Sequence, residues 1–455
     1  MNTTRKIARF VVELSLDEVP LRALEIAKGG IIDSLGAAIA GTRSDAAQIV
    51  TRWTREQGGT PSCGVIGGAF KTSPASAARA NGTIGHAFDY DPPLPLLPVL
   101  LALGESERAS GREMLEAYVT GFEVQSKLQG GVSEKHTAHG WHSNTVFGTF
   151  GATAAAAKLL KLDDLRTGMA FGIAASATGG ILQNLGTMTK PLHAGMAAAN
   201  GIMAASLARE GFGSAPDGLE GEYGVLRVFA TSGEYDEHKI SATFGAPWDL
   251  VAKEIRIKPF PCCRWAHRPL DALLELVRTH DLRPEDIESI ECEVGAHVSK
   301  VMAYPVARSA LEAKFCMPYC LAVAVCDRSA GLEQFTEERV RDAQVQAFAS
   351  RVRVVQPGGG AISDTGPLAP CRVRIRMKNA KVLEKMPREA RGDRENPMSF
   401  EDIVGKYRDC TRGLLAPEDS EHVLALVRNI ETAQNLSSLY SILTCRVQAQ
   451  PASVS

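Results

Sequence analysis

The chain has 455 residues, with 50 Lys and Arg against 52 Asp and Glu and a formal net charge of −2. That balance gives no support to nucleic acid or an anionic membrane as partner, and 45% hydrophobic with 22% charged residues excludes a disordered chain. Nothing resembles the uncharged apolar run of about 20 residues that a membrane-spanning helix needs, and the N-terminal segment meets Glu13 and Asp17 too early for a secretory signal.

The length suggests two domains. Residues 17–41 place Leu21, Leu24, Ile26, Ile31, Ile32, Leu35 and Ile39 on one wide helical face, with Asp17 as N-cap and Gly41 as C′ residue. Segments 74–87, 111–128, 145–161, 163–182 and 191–212 also read as helices. Their Ala/Gly-rich runs, GTFGATAAAAKLL and HAGMAAANGIMAAS, suit closely approaching helices. No fixed repeat is present, which excludes a solenoid. After about residue 268 the texture changes. PLDALLELVRTH reads as a helix, and IESIECEVGAHV, FASRVRVVQP and CRVRIRMKNAKVLEK as strands, the last as two around Lys378-Asn379-Ala380. Val373, Ile375 and Met377 then face a core, while Arg372, Arg374 and Arg376 form a solvated row. Helices return with FEDIVGKYRDC and EDSEHVLALVRNIETA, and the tail QAQPASVS reads as loose. The expected fold is mostly α: a helical domain over 1–268, an inserted α+β domain over 269–400 and a C-terminal helical return over 401–455.

The ten cysteines contain no CxxC pair or zinc spacing and read as reduced thiols of a cytoplasmic protein. Four stretches are polar beyond their surroundings. GTIGHAFDYD places His86, Asp89 and Asp91 within about a turn, a set suited to proton transfer, metal binding or mere capping. EKHTAHGWHSNTVFGTFG spaces His136, His139 and His142 by three; a loop could turn them on one metal. Ser143 or Asn144 would cap the following helix, whose N-terminus favours an anion, so His142 stands nearest the useful end. GTMTKPLHAG puts Lys190 at a helix start, where a cation is unfavourable unless an anion binds; His193, inside that helix, reads equally as a core residue. IKPFPCCRWAHRPLD fixes Lys258 and the pair Cys262–Cys263 between prolines. No GxGxxG, P-loop or GxSxG motif appears, which counts against nucleotide and α/β-hydrolase chemistry.

In this order, IIDSLGAAIAG, NGTIGHAFDYD, HSNTVFGTFGATAAAAKLL, GTMTKPLHAGMAAANG, KPFPCC, AKFCMPYCLA and ENPMSFEDIVGKY resemble the MmgE/PrpD family, across about residues 5–440. The resemblance implies a helical domain with a smaller α+β lid domain, a site between them for a di- or tricarboxylate, a homodimer, and no metal, nucleotide or other cofactor. It also implies site residues: Asp89, His142, Lys190, Lys258 and Tyr319. The lysines would bind carboxylates and face the negative charge that builds beside one; His142 and Asp89 would move protons; Tyr319 would donate to a developing oxygen. The expected function is a lyase, by dehydration or decarboxylation. The alternatives are an epimerase or isomerase acting on a substrate such as iminodisuccinate, and a non-catalytic metabolite-binding homologue. The chain departs from the family after Asp91. A loop ending in His-Pro-Ser is missing, and the sequence runs straight into PPLPLLPVLLALGE, where Pro92, Pro93 and Pro95 favour extended backbone.

Overall fold

A computed structural model describes residues 2–92, 95–132, 135–230, 235–241, 244–356 and 371–448. Pro93 of the proline run and the tail from Ala449 onward lie outside the described residues. The chain divides into two compact units, one formed by residues 1–87, 91–255 and 400–455, the other by 88–90 and 256–399.

The first unit is helical. Its main elements are α1 (Leu21–Gly41), α2 (Pro74–His86), α3 (Leu96–Ser106), α4 (Gly111–Gly131), α5 (Ser143–Leu159), α6 (Asp164–Ala177) and α7 (Thr189–Arg209). Local chemistry sets their ends. A capping box of Ser110 and Glu113 opens α4, Asp163 caps α6, and Pro74 occupies the first turn of α2. Three expected boundaries are corrected. Asp17 lies in a separate 3₁₀ turn, Leu16–Glu18, and α1 starts after Pro20; Leu21 at its head is exposed. Gly41 is still helical, and its requirement is space, because a Cβ there would sit 1.9 Å from the Ile84 carbonyl oxygen of α2. The segment expected to stay helical to residue 182 ends at Ala177, since Thr178 is extended and Gly180 has φ +113°. Helix α3, beginning directly after Pro95, was not expected. Pro98 is its third residue, where no intrahelical N–H bond is lost.

Small side chains set the spacing of the central helices. A Cβ on Gly201 of α7 would fall 2.6 Å from Cβ of Ala152 in α5, and one on Gly195 of α7 would fall 2.2 Å from the Arg79 carbonyl oxygen of α2. Backbone therefore meets backbone, and α2, α5 and α7 are brought close enough for short polar side chains to touch. The segment after Ser399 supplies two more helices to this unit, Phe400–Thr411 and Pro417–Arg428. Lys406 of the first makes a buried ion pair with Asp33 of α1 at 2.7 Å.

The second unit holds α8 (His267–Thr279), β1 (Ile287–Val294), α9 (Met317–Cys326), β2 (Val352–Val355), β3 (Cys371–Met377) and β4 (Val382–Lys385). The strands form one sheet in the order β2-β1-β3-β4, with β1 and β2 parallel and the other pairs antiparallel. Ile290, Cys292, Val373 and Ile375 are fully buried, as alternation requires of a sheet covered on one face. The opposite face carries the expected arginine row. Arg374 pairs with Glu291 and Glu384, both at 2.9 Å, and Arg376 with Glu288 at 3.4 Å. The basic stripe is thus neutralised across strands. The turn between β3 and β4 passes through Ala380 at φ +66°, with Asn379 Oδ1 accepting from the Lys381 N–H.

Candidate active site

The sequence-predicted residues fall into two groups, His142 and Lys190 in the helical unit and Asp89, Lys258 and Tyr319 in the α+β unit.

In the helical unit, His142 itself occupies the N-cap position of α5, in place of Ser143 or Asn144, in extended conformation. Its N–H donates to the Gly180 carbonyl at 3.0 Å, and its carbonyl accepts from Thr145 and Val146. The ring does not cap the helix. Its Nδ1 lies 3.0 Å from Thr145 Oγ1 and 3.1 Å from Nδ1 of His193 on α7. Both imidazoles are buried. His193 was an ambiguous residue in the sequence; the structure makes it the direct neighbour of His142. Burial, together with the charges of His86 and Lys190, holds its pKa below the usual histidine value. Lys190 is the second residue of α7 and is 8% exposed; the N–H groups of Thr189 and Lys190 donate to Thr187 Oγ1 and to the Thr187 carbonyl, both at 3.2 Å, and Pro191 has none to offer.

The other imidazoles of the helical unit go elsewhere. His136 Nε2 lies 2.5 Å from Ser143 Oγ, and His139 is exposed, so the triple-histidine spacing does not gather on one point. Among the described residues no group of three or more His, Cys, Asp or Glu side chains is placed to hold a metal ion. His86, at the end of α2, pairs with Asp91 through Nδ1 and Oδ1 at 2.7 Å, both buried. Asp91 also lines a small pocket with Ser34, Asn81, Gly85 and Ala194, the residue after His193.

In the α+β unit, Asp89 adopts φ +55°, a left-handed conformation that aspartate tolerates better than most residues. The Lys258 ammonium grips it twice, donating to Oδ1 at 2.5 Å and to the main-chain oxygen at 2.8 Å. Lys314 ties the preceding residue by donating to the Phe88 carbonyl at 3.0 Å and the Pro261 carbonyl at 2.9 Å, while Tyr90 donates to Pro259 at 3.3 Å. Tyr319, on α9, donates its hydroxyl to the Gln334 carbonyl at 2.5 Å and sets its ring edge against Phe335; burial pushes its pKa up. Beside it lies a thiol cluster. Burial alone would raise the Cys262 pKa, but a hydrogen bond from Cys320 and the proximity of His267 bring it down to about 6, whereas burial pushes Cys320 far up. His267 Nε2 is 3.2 Å from the Cys262 carbonyl oxygen.

Sequence reasoning grouped His86 with Asp89 and Asp91, of which the structure pairs His86 with Asp91; it missed the His142–His193 contact. For that contact, the only signal was the spacing of three between Lys190 and His193, which puts both on one side of α7.

Comparison with known proteins adds a family and named relatives. Residues 5–238 match the model of the MmgE/PrpD N-terminal domain, and residues 260–432 that of the MmgE/PrpD C-terminal domain. Cis-aconitate decarboxylase of Homo sapiens is 28% identical over 97% of this chain and 94% of its own length. The enzyme of that name from Mus musculus is 28% identical over 97% and 93%, and that from Aspergillus terreus 27% identical over 98% and 96%.

Proposed function

The chain belongs to the MmgE/PrpD family, and from that premise we propose that it is a lyase that decarboxylates a small unsaturated tricarboxylate of the cis-aconitate type. The observation that carries this reading is the near full-length likeness to cis-aconitate decarboxylases. It is supported by the residue types at the two groups: a buried ammonium at a helix start beside an imidazole pair, and a lysine-held aspartate.

In this reading one carboxylate leaves as CO2. Its bonding electron pair moves into the adjoining unsaturated system, where a remaining carboxylate shares the charge, and a proton then closes on carbon. The costly species is the electron-rich intermediate, which only cations and N–H donors already facing it can stabilise. Lys190 takes this role, and its ammonium also neutralises a substrate carboxylate before reaction. Lys258 would take a second carboxylate by exchanging part of its grip on Asp89. His142 delivers the proton. Asp89 is its partner in proton transfer, and Tyr319 donates to a substrate oxygen by exchanging the Gln334 carbonyl. No cofactor enters this scheme, and the active species is a homodimer in the cytoplasm.

The test is mass spectrometry after incubation in heavy water with cis-aconitate, citrate, methylcitrate and iminodisuccinate. The expected result is a product lighter by one CO2 and carrying deuterium on carbon, from the unsaturated tricarboxylate. A product lighter by water would make the enzyme a dehydratase, and substrate returned with exchanged deuterium would make it an epimerase. Ligand-dependent thermal stabilisation without turnover would leave a metabolite-binding homologue.

A further inference from the structure

We propose that His193 is the positioning residue of His142, and that the two imidazoles hold at most one excess proton between them. The inference rests on the reading of His142 as the proton-transfer group. The observation behind it is the 3.1 Å contact between the two Nδ1 atoms. A nitrogen–nitrogen contact of that length is a hydrogen bond only if one proton lies on the line between them. Two facing N–H groups would repel, and two facing lone pairs would leave a buried polar contact unmade.

The proton count follows. Two separate imidazolium rings carry four N–H protons, whereas a pair joined through Nδ1 carries three at most. The neutral pair carries two, so it can take up one. Which ring holds the extra proton is decided by the surroundings. His193 faces cations from two directions, Lys190 on its own helix and His86 at the end of α2. His86 is itself held by Asp91. His136, from the turn before α5, is engaged with Ser143. The other charged groups on the helices packed against α7 are engaged elsewhere: Arg79 of α2 over the Trp53 ring, Glu105 of α3 with Lys71, Lys158 of α5 with the Val12 and Leu14 carbonyls and Arg166 of α6 with Asp163, while Asp164 of α6 acts on Arg9. His193 therefore stays neutral and presents an Nδ1 lone pair. His142 receives the extra proton, and its Nδ1–H points at that lone pair. Thr145 Oγ1 lies 3.0 Å from the same nitrogen, so the one Nδ1–H is shared between that oxygen and the His193 lone pair, and both acceptors hold the ring.

This arrangement does two things for proton transfer. It fixes the plane of the His142 ring through the neutral Nδ1 of His193, and an acceptor there favours the protonated form that desolvation disfavours. A neutral acceptor suits a site that must also hold anions, because a carboxylate at that position would compete with substrate for Lys190.

The experiment is a titration of the histidine rings by nitrogen-resolved NMR on the full ligand-free chain, from pH 9 to pH 5. It is run on the wild type, His193→Gln and His193→Phe, with pH profiles of kcat/KM measured alongside. In the wild type the pair should take up one proton, with His142 showing the full transition and His193 remaining neutral. In His193→Phe the His142 transition should move to lower pH by about one unit, because its hydrogen-bond acceptor is gone; His193→Gln, whose side-chain oxygen can accept, should largely restore it. The acidic limb of kcat/KM should move with the transition, which a merely structural role would not produce. Full protonation of both rings in the wild type overturns the proposal, and so does an unshifted His142 in a folded Phe variant. Should the Phe variant not fold, the wild-type proton count decides alone. A pair that titrates as described in a protein with no turnover of any polycarboxylate leaves this inference standing and removes the decarboxylase reading.

Discussion

Gly195→Ala tests the backbone contact that brings the histidines together. A Cβ at 195 would lie 2.2 Å from the Arg79 carbonyl oxygen and 2.4 Å from Thr83 Oγ1, and the facing Gly82 is equally crowded, its Cβ position being 2.8 Å from Gly195 Cα. Thr83 Oγ1 donates to the Arg79 carbonyl at 2.8 Å, so neither atom can retreat without loss of that bond, and α2 and α7 must move apart. Overpacking of this kind costs about 1–3 kcal/mol. Alanine in a helix recovers up to about 1 kcal/mol over glycine, which leaves a net destabilisation of up to about 2 kcal/mol. Gly405 is the control. It is helical and exposed, and a Cβ there meets nothing within 4 Å, so Gly405→Ala should stabilise by about 0.5–1 kcal/mol. Urea unfolding midpoints read both changes, and their opposite signs are the prediction. Turnover should fall with Gly195→Ala, because α2 and α7 carry His86 and His193, and stay unchanged with Gly405→Ala. A Gly195→Ala protein as stable as the wild type would refute the close-contact account of how these helices are spaced.

Lys190→Ala and His142→Ala should each lower kcat by about 10²–10⁴-fold with circular dichroism unchanged; wild-type rates in both would remove the roles assigned to them. Cys262 should be the thiol that ionises near pH 6, since burial holds Cys63, Cys316 and Cys371 at about 11 and Cys410 at about 12. Ultraviolet absorbance of the thiolate should rise through pH 6 in the wild type and lose that step in Cys262→Ser. The depressed pKa of His193 also has a sign. The folded state refuses a proton that the unfolded chain accepts, so its stability is fully present above the unfolded histidine value of about 6.5 and is lost as pH falls below it. Urea midpoints should therefore drop more steeply below pH 6.5 in the wild type than in His193→Gln; parallel curves would contradict the burial of a neutral ring.

Helical periodicity and the Ala/Gly runs made most of the first unit legible, because small residues at close spacing have one common use, the near approach of helices. Alternation likewise exposed β1, β3 and β4, with the arginine row read correctly as a solvated face. The errors have local causes. Asp17 has a capping side chain but precedes Pro20, and the helix takes the later start. Three prolines before α3 masked a helix whose own proline falls in the tolerant first turn. The site was legible as residue types in sequence phrases and not as contacts. Lys258 and Asp89 are 169 residues apart, and nothing local signals their ion pair. His193 sits on a buried helical face, where a core histidine and a working one look alike until a second imidazole is found 3.1 Å away.

Three residues of the chain's first quarter, Phe88–Tyr90, are integral to the α+β unit. Lys314 holds the Phe88 backbone oxygen, and Lys258 holds that of Asp89 together with the Asp89 carboxylate. A fragment spanning 256–399 would leave those two ammonium groups without that carboxylate and two of their carbonyls, at sites largely withdrawn from water. Such a fragment is a sheet with a missing stitch, and its charges would have to hydrate or rearrange. The unit is therefore not transferable as one continuous gene segment, and recombination that separates the two stretches breaks it as surely as a mutation in its core.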